Sequence, residues 1–406
     1  METADLASYD AMMNMSGNDS MEEEELHLIC FIHDPVSLLR MVLIFGLASP
    51  LAGVGFAGNC LLCRFFGAAE SRNSPTLYLF TMSGLDAAIC LIYVIIFGGD
   101  AAALYWELGW LAVLLTYLTL PLLIVSRVIQ LFSTYIVVAA AVDRWLLVYT
   151  GRQKWILKLR QVATNARNRY GIVWAIGAIA VILRLPFFFS VQYKFYHNCT
   201  HTMGSIGIEA TDFSRNYANY IYDFYVLTFL GVFMPFPLLI SLNFLVILGL
   251  KQRKKAYTKY TEEALMVEED GVSPHAAAPV ATTLLASNII KRNADEKRRS
   301  EQEAESVRNA TMTLVAIATT YLICNSISFF ITLLERLPGE PFLWIYDKKG
   351  VPIARTDFYI ITTDMISFLV MFNSFFRIVI NIRFNPAVRE DLSKPWIPFD
   401  YPISCR

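Results

Sequence analysis

The chain has 406 residues, of which 55% are hydrophobic and only 17% are Asp, Glu, Lys or Arg, and its mean hydropathy is +0.45. A soluble domain carries about 25% charged residues, so this chain lacks the ions to coat a water-facing surface, and its composition fits lipid as solvent. Its 34 basic and 35 acidic residues leave a formal net charge of -1, which removes the case for a nucleic-acid polyanion as partner.

The first segment, residues 1–37, holds Glu2, Asp5, Asp10, Asp19, Glu22 to Glu25 and Asp34, and no Lys or Arg precedes Arg40. It has neither the basic start nor the apolar stretch of a cleaved signal peptide, so the first apolar block is expected to act as the targeting element. Seven apolar blocks follow, at about 38–65, 76–97, 111–149, 171–189, 220–250, 310–334 and 358–382. A bilayer takes about 20 residues to cross as a helix. The blocks lack the alternation of a membrane barrel, so their backbone polar groups must be satisfied inside helices. An all-α, seven-transmembrane helix bundle over 38–382 is the expected fold. The 111–149 block is long for one span, and Trp106 and Trp110 near its start fit an interfacial aromatic belt.

Charge in the connections sets the expected orientation. The loop after the third block holds Arg152, Lys154, Lys158, Arg160, Arg167 and Arg169 with no acid among them, the pattern of a cytoplasmic loop. The acidic N-terminus then stays outside, and an odd number of spans leaves the C-terminus inside, as in a multi-pass plasma-membrane protein. Asn14, Asn18 and Asn198 each open a glycosylation triplet and all fall on the expected outer side. Residues 251–308 form a long third cytoplasmic loop with charged, helix-compatible ends and a centre of Pro, Gly and small residues expected to be disordered. Residues 383–406 are expected to be cytoplasmic, with Ala387 to Leu392 as a short amphipathic helix.

Polar residues inside the blocks are costly in hydrocarbon and are therefore functional candidates. They are Asp86 in the second block, Arg127, Asp143 and Arg144 in the third, Arg184 in the fourth, Asp223 in the fifth, and Asp364 and Arg377 in the seventh. Asn59, Ser133, Asn243, Asn325, Asn373 and Ser374 join them. A transporter would use such groups for an ion path and a receptor would use them as a switch.

Gly58-Asn59, Leu85-Asp86, Asp143-Arg144-Trp145, Pro235 seven residues before Leu242-Asn243, and Asn373-Ser374 resemble the marks of rhodopsin-like G-protein-coupled receptors. More narrowly, QLFSTYIVVAAAVDRW at 130–145, RLPFFFSV at 184–191, MPFPLLISLN at 234–243 and TYLICN at 320–325 are similar to invertebrate FMRFamide-type neuropeptide receptors. The resemblance spans about residues 38–392. It implies an extracellular peptide ligand, amidated at its C-terminus, a heterotrimeric G protein as partner, and no cofactor, metal or enzymatic activity. Arg144 would pair with Asp143 at rest and turn to the G protein on activation, with Trp145 in place of the usual Tyr. An acid that restrains this Arg in some relatives has no clear counterpart, since Val307 stands there with Glu305 nearby.

Asn59, Asp86, Ser133, Asn373 and Ser374 match the polar cluster that holds sodium in many relatives, but the seventh block departs from the family by carrying Arg377 and Asn381. Residues 373 and 377 share a helix face, so Arg377 is expected to meet Asp86 in a buried salt bridge that stands where sodium would. The sixth block also departs, because Cys324-Asn325-Ser326-Ile327 lacks the Trp-x-Pro of the family. For the ligand, Ser126, Arg127 and Gln130 share one face of the third span, opposite Phe329, Phe330, Asp364, Ser367 and Phe368. Asp364 or Glu335 is the expected acid for a ligand Arg, with an internal Arg127 to Asp364 pair as the alternative. Relatives tie the third span to the second outer loop by a disulfide, yet no Cys lies between Cys90 and Cys199. Cys30 and Cys199 are the expected pair, against two free thiols.

The alternating His197, Cys199 and His201 make a poor zinc site by the usual spacings. A receptor for a small molecule is the runner-up, and a weakly coupling receptor remains open. A transporter would show repeated broken helices, and a retinal receptor would carry a Lys in residues 358–382, where there is none.

Overall fold

The computed structural model describes residues 41–67, 76–149, 151, 153–196, 205–270, 305, 308–309, 311–334, 344–346 and 352–393. Seven helices among them are long and apolar enough to cross a membrane: Val42–Gly67, Leu77–Tyr105, Gly109–Val148, Arg167–Ser190, Tyr225–Gln252, Thr311–Leu334 and Ile361–Phe384, called here the first to seventh spans. Large apolar side chains point out of the bundle all round it, among them Trp174, Ile182, Phe244, Ile323 and Phe330. In water such a surface would aggregate; in lipid it is the outside of a bundle whose polar groups turn inward. The chain is a multi-pass membrane protein by its helices and its exterior.

Two spans are longer than their apolar blocks. The second runs on through Gly98-Gly99-Asp100 to Tyr105, past the end expected near 97. It continues because Ala103 packs with Ala112 and Leu115 of the third span, and Gly99 lets Leu115 approach. Only residues 106–108 connect the two helices, and Glu107 takes φ 51 to make the turn. The third span has 40 residues, about 60 Å at 1.5 Å per residue, so its ends pass beyond a hydrocarbon core of about 30 Å. Trp106 and Trp110 lie exposed near its N-terminal end.

Capping starts the fourth and seventh spans. Asn165 accepts from the Arg167 backbone N–H at 3.1 Å, and Thr356 accepts from that of Tyr359 at 3.2 Å; each satisfies an otherwise orphaned donor. The fifth span begins in widened π turns, Tyr222–Leu227 and Phe229–Phe233, and becomes regular at Pro235. Proline has no N–H for the preceding turn, and the Leu230 carbonyl in that stretch instead accepts from Tyr135 of the third span at 2.8 Å. Beyond the membrane the same helix continues to Asp270. Two short antiparallel hairpins in the connections were not expected from the sequence: β1 (Val191–Phe195) with β2 (Ile206–Ala210), and β3 (Trp344–Tyr346) with β4 (Pro352–Arg355). A helix of eight residues, Pro386–Ser393, follows the seventh span and buries Val388 against the bundle core.

Close helix approach rests on two glycines of the first span. A Cβ at Gly55 would stand 3.0 Å from the Cys90 sulfur of the second span, and one at Gly58 would collide with Ile378 of the seventh. This contact carries Asn59 to the bundle centre, where it is fully buried. Gly58→Val should therefore lower thermal stability by about 1–3 kcal/mol, the usual cost of overpacking, and Ile378→Ala in the same chain should restore most of it. Unfolding of the two purified variants in detergent checks this.

Candidate functional site: a cavity above a buried ion pair

The polar residues of three spans, the first, second and seventh, converge. Arg377 donates from NH1 to the Oδ2 of Asp86 at 2.6 Å, and both side chains are 3% exposed. Ser374 donates to the other carboxylate oxygen at 3.4 Å. Asn59 ties the first span in, donating to the carbonyls of Gly55 at 2.9 Å and Ser374 at 3.2 Å. Asn381, one turn below, donates to the Arg377 carbonyl at 2.8 Å. Residues 374, 377 and 381 recur every three or four positions, so one helix face delivers them all. Breaking such a pair by removing one partner leaves an uncompensated buried charge.

Above this pair opens a cavity of about 480 Å³, with Asp86, Ser133, Asn373, Ser374 and Arg377 in its floor. Its walls include Ser126, Arg127 and Gln130 of the third span and Ser367 of the seventh, as the shared helix faces predict. They also include Arg184 of the fourth span, Asp223 of the fifth, and Tyr321 and Asn325 of the sixth. Tyr321 and Thr134 share a hydroxyl hydrogen bond of 3.0 Å between the sixth and third spans.

Other expected ligand residues stand elsewhere. Phe330 is 62% exposed on the lipid side, because adjacent helical residues point about 100° apart and only one of the pair can face inward. That one is Phe329, which stacks on Phe236 at 4.8 Å and meets Phe233 edge-on, filling the contact between the fifth and sixth spans. Phe368 stacks on Phe372 and packs against the cluster of Cys90, Tyr93 and Met371. Asp364 lies outside the cavity lining, within electrostatic reach of Tyr93. Arg127 stands 6.0 Å from the ring of Phe187 rather than in an ion pair with Asp364. Glu335 lies outside the described residues.

At the other end of the third span the expected pairing of Asp143 with Arg144 is replaced. Asp143 accepts from Nε and NH2 of Arg169 at 3.3 and 3.2 Å. Neighbouring side chains on a helix do not face each other, whereas Arg169 reaches across from the start of the fourth span. Arg144 is buried, with its Nε lacking a hydrogen-bond partner, and Trp145 packs on Tyr149 with ring centroids 5.7 Å apart. Glu305 pairs with Arg308 at 3.7 Å on an exposed surface. Val307 is outside the described residues.

The hairpin of β1 and β2 is tied to the third span by Tyr193, which donates to the Tyr117 carbonyl at 2.7 Å while the two rings meet at 5.6 Å. Glu209 accepts from Lys194 at 2.6 Å and from Tyr196 at 2.8 Å across the hairpin. The bond to Glu209 raises the Lys194 ammonium above its ordinary pKa. Cys30, Cys199, His197, His201, Asn14, Asn18 and Asn198 lie outside the described residues. Among the described ones no cluster of His, Cys, Asp and Glu is placed to hold a metal ion.

Comparison with models of protein families finds no match, and comparison with curated proteins finds none either. Among solved structures the chain is similar to squid rhodopsin, with a TM-score of 0.54 and 13% sequence identity, covering 90% of this chain and 89% of that one. The likeness is one of fold: this chain is built as the same kind of seven-helix bundle.

Asp86→Asn should destabilise the bundle by about 3–5 kcal/mol, and the double variant Asp86→Asn/Arg377→Met should recover most of that loss, because removing both charges removes the orphan. Thermal unfolding of the three proteins measures the cycle. Sodium against choline in the same assay should leave the wild type unchanged and selectively stabilise Arg377→Asn, which exposes the Asp86 carboxylate to an ion.

Proposed function

We propose that the chain is a G-protein-coupled receptor of the rhodopsin-like type, set in the plasma membrane with its acidic N-terminus outside and its C-terminus in the cytoplasm. The observation that carries this reading is the continuous polar line inside a rhodopsin-like bundle. It runs from the cavity beside Ser126, Arg127 and Gln130 to the Asp86 and Arg377 pair at its floor. A ligand in the cavity acts on the same third, sixth and seventh spans that carry Thr134, Tyr321 and Arg377, and the third span ends in Arg144. The basic loop from Arg152 to Arg169 supports a cytoplasmic position for that end.

The ligand is an extracellular peptide, the class implied by the resemblance of residues 130–145, 184–191, 234–243 and 320–325 to FMRFamide-type receptors. A small-molecule ligand is the second reading, favoured by a cavity of about 480 Å³, which falls within the ordinary range for small-molecule sites. On the inner side Arg144 contacts the G protein after leaving its buried place, and Asp143 with Arg169 holds the third and fourth spans together at rest.

Cells expressing the chain and challenged with a panel of neuropeptides and small metabolites should give a calcium or cAMP response to a peptide. Silence to peptides with a response to a metabolite selects the second reading. Arg144→Ala should abolish that response while leaving surface expression intact; full retained signalling overturns the role given to Arg144.

A further inference from the structure

Two guanidinium groups meet at the wall of the cavity. Arg127 of the third span and Arg184 of the fourth both line it and lie within electrostatic reach of each other. Like charges side by side repel, and an anion bound between them lowers that repulsion. Arg184 is the more enclosed: its side chain is 16% exposed, its Nε is buried with no hydrogen-bond partner, and its NH2 is directed toward Gly231 of the fifth span. The acid beside it is Asp223, 3.9 Å from its NH1 and 58% exposed, a distant contact on the outer side. Arg127 rests against Phe187 at 6.0 Å, a contact that offers no hydrogen-bond acceptor. Neither guanidinium donates a hydrogen bond to a described residue.

The other charges near the cavity do not relieve this wall. Asp86 is engaged by Arg377 in the floor. Asp364 lies outside the cavity lining, near Tyr93 of the second span. Ser126, Gln130 and Thr228 add neutral donors and acceptors to the same lining, and Tyr93 and Phe97 add aromatic surface. The wall therefore sets two guanidiniums, Arg184 half-buried and Arg127 exposed, against one loosely held carboxylate, and it faces a space that is partly aromatic.

We propose that Arg127 and Arg184 form an anion subsite that receives a carboxylate of the ligand, seated between the third, fourth and fifth spans. This rests on the receptor reading above and narrows it. The group received by the inner cavity is an acid, such as a free C-terminus or an acidic side chain, in place of the terminal amide that the family resemblance implies. A planar carboxylate suits the guanidinium fork, and charge-assisted hydrogen bonds are about twice as strong as neutral ones.

Binding can be read without signalling. The full chain in nanodiscs of zwitterionic lipid is titrated at neutral pH with 3-phenylpropionate and, separately, with 3-phenylpropanamide, which matches it in shape but carries no charge, and the unfolding temperature is followed. The acid should stabilise saturably, with an apparent affinity about tenfold or more above that of the amide. Arg127→Gln and Arg184→Gln should each erase the difference, and Arg127→Lys should keep part of it. Equal effects of acid and amide, or no effect of either, overturn the subsite, since the guanidiniums are then satisfied by water alone. Should Arg184→Gln fail to fold, the comparison of acid and amide on the wild type and on Arg127→Gln still decides. Failure of the receptor reading shows instead as silence in the calcium and cAMP assays with the acid-dependent stabilisation retained.

Discussion

Asp86 and Arg377 sit 2.6 Å apart, each 3% exposed, at the centre of a bundle whose outer face is apolar. Charges so far from water are tolerable only together, and that requirement fixes the second and seventh spans in rotation and in depth. The first span is fixed by the same centre: Asn59 reaches the Ser374 carbonyl only because Gly55 and Gly58 let its backbone come close to the second and seventh spans. In lipid there is no hydrophobic force between helices, and packing of small residues and interhelical hydrogen bonds must hold them. The pair and its glycine approach supply both on one side of the bundle.

The opposite side is held by polar links between the third span and its neighbours. Tyr321 meets Thr134 at 3.0 Å, Tyr135 meets the Leu230 carbonyl at 2.8 Å, and Tyr193 meets the Tyr117 carbonyl at 2.7 Å. Each uses a tyrosine, whose ring tolerates apolar surroundings while its hydroxyl finds a partner. Tyr193 ties the hairpin of β1 and β2 to the third span. Widened π turns occur in the first span at Val42–Ala48, in the second at Val94–Gly98 and ahead of Pro235 in the fifth, whereas residues 311–334 of the sixth contain no proline.

How much of this could be read from the sequence depends on the range of each interaction. The spans are legible because each apolar block is long enough to cross the bilayer by itself, and the meeting of Arg377 with Asp86 follows from two positions four apart on one face and one acid opposite. Asp143 was harder. Its partner, Arg169, lies 26 residues away across a loop, and in the sequence it reads only as one more basic residue of a cytoplasmic connection. Phe329 and Phe330 could not both face a ligand, yet choosing between them needs the rotation of the sixth span, which its apolar run does not encode. The extension of the second span to Tyr105 hides behind Gly98-Gly99, because glycines that read as a helix end here serve close packing, Gly98 against Ser49 and Gly99 against Leu115.

The scarcity of charge gives each remaining charge inside the spans a structural consequence. Asp86 with Arg377 and Asp143 with Arg169 close two accounts of sign within hydrogen-bonding distance. Arg184 and Asp223 do so poorly at 3.9 Å, with the acid turned outward, and Arg127 has an aromatic ring beside it. Positive charge is thus left in excess at the cavity wall and, in Arg144, at the other end of the third span. A guanidinium that is enclosed but unbonded raises the free energy of the empty bundle, and an anion that satisfies it recovers that energy on binding. The floor cannot compete for the same anion, since Arg377 is already engaged by Asp86. Placement of the charges, with the pair below closed and the wall above open, separates a structural centre from a recognition surface only a few turns away along the same helices.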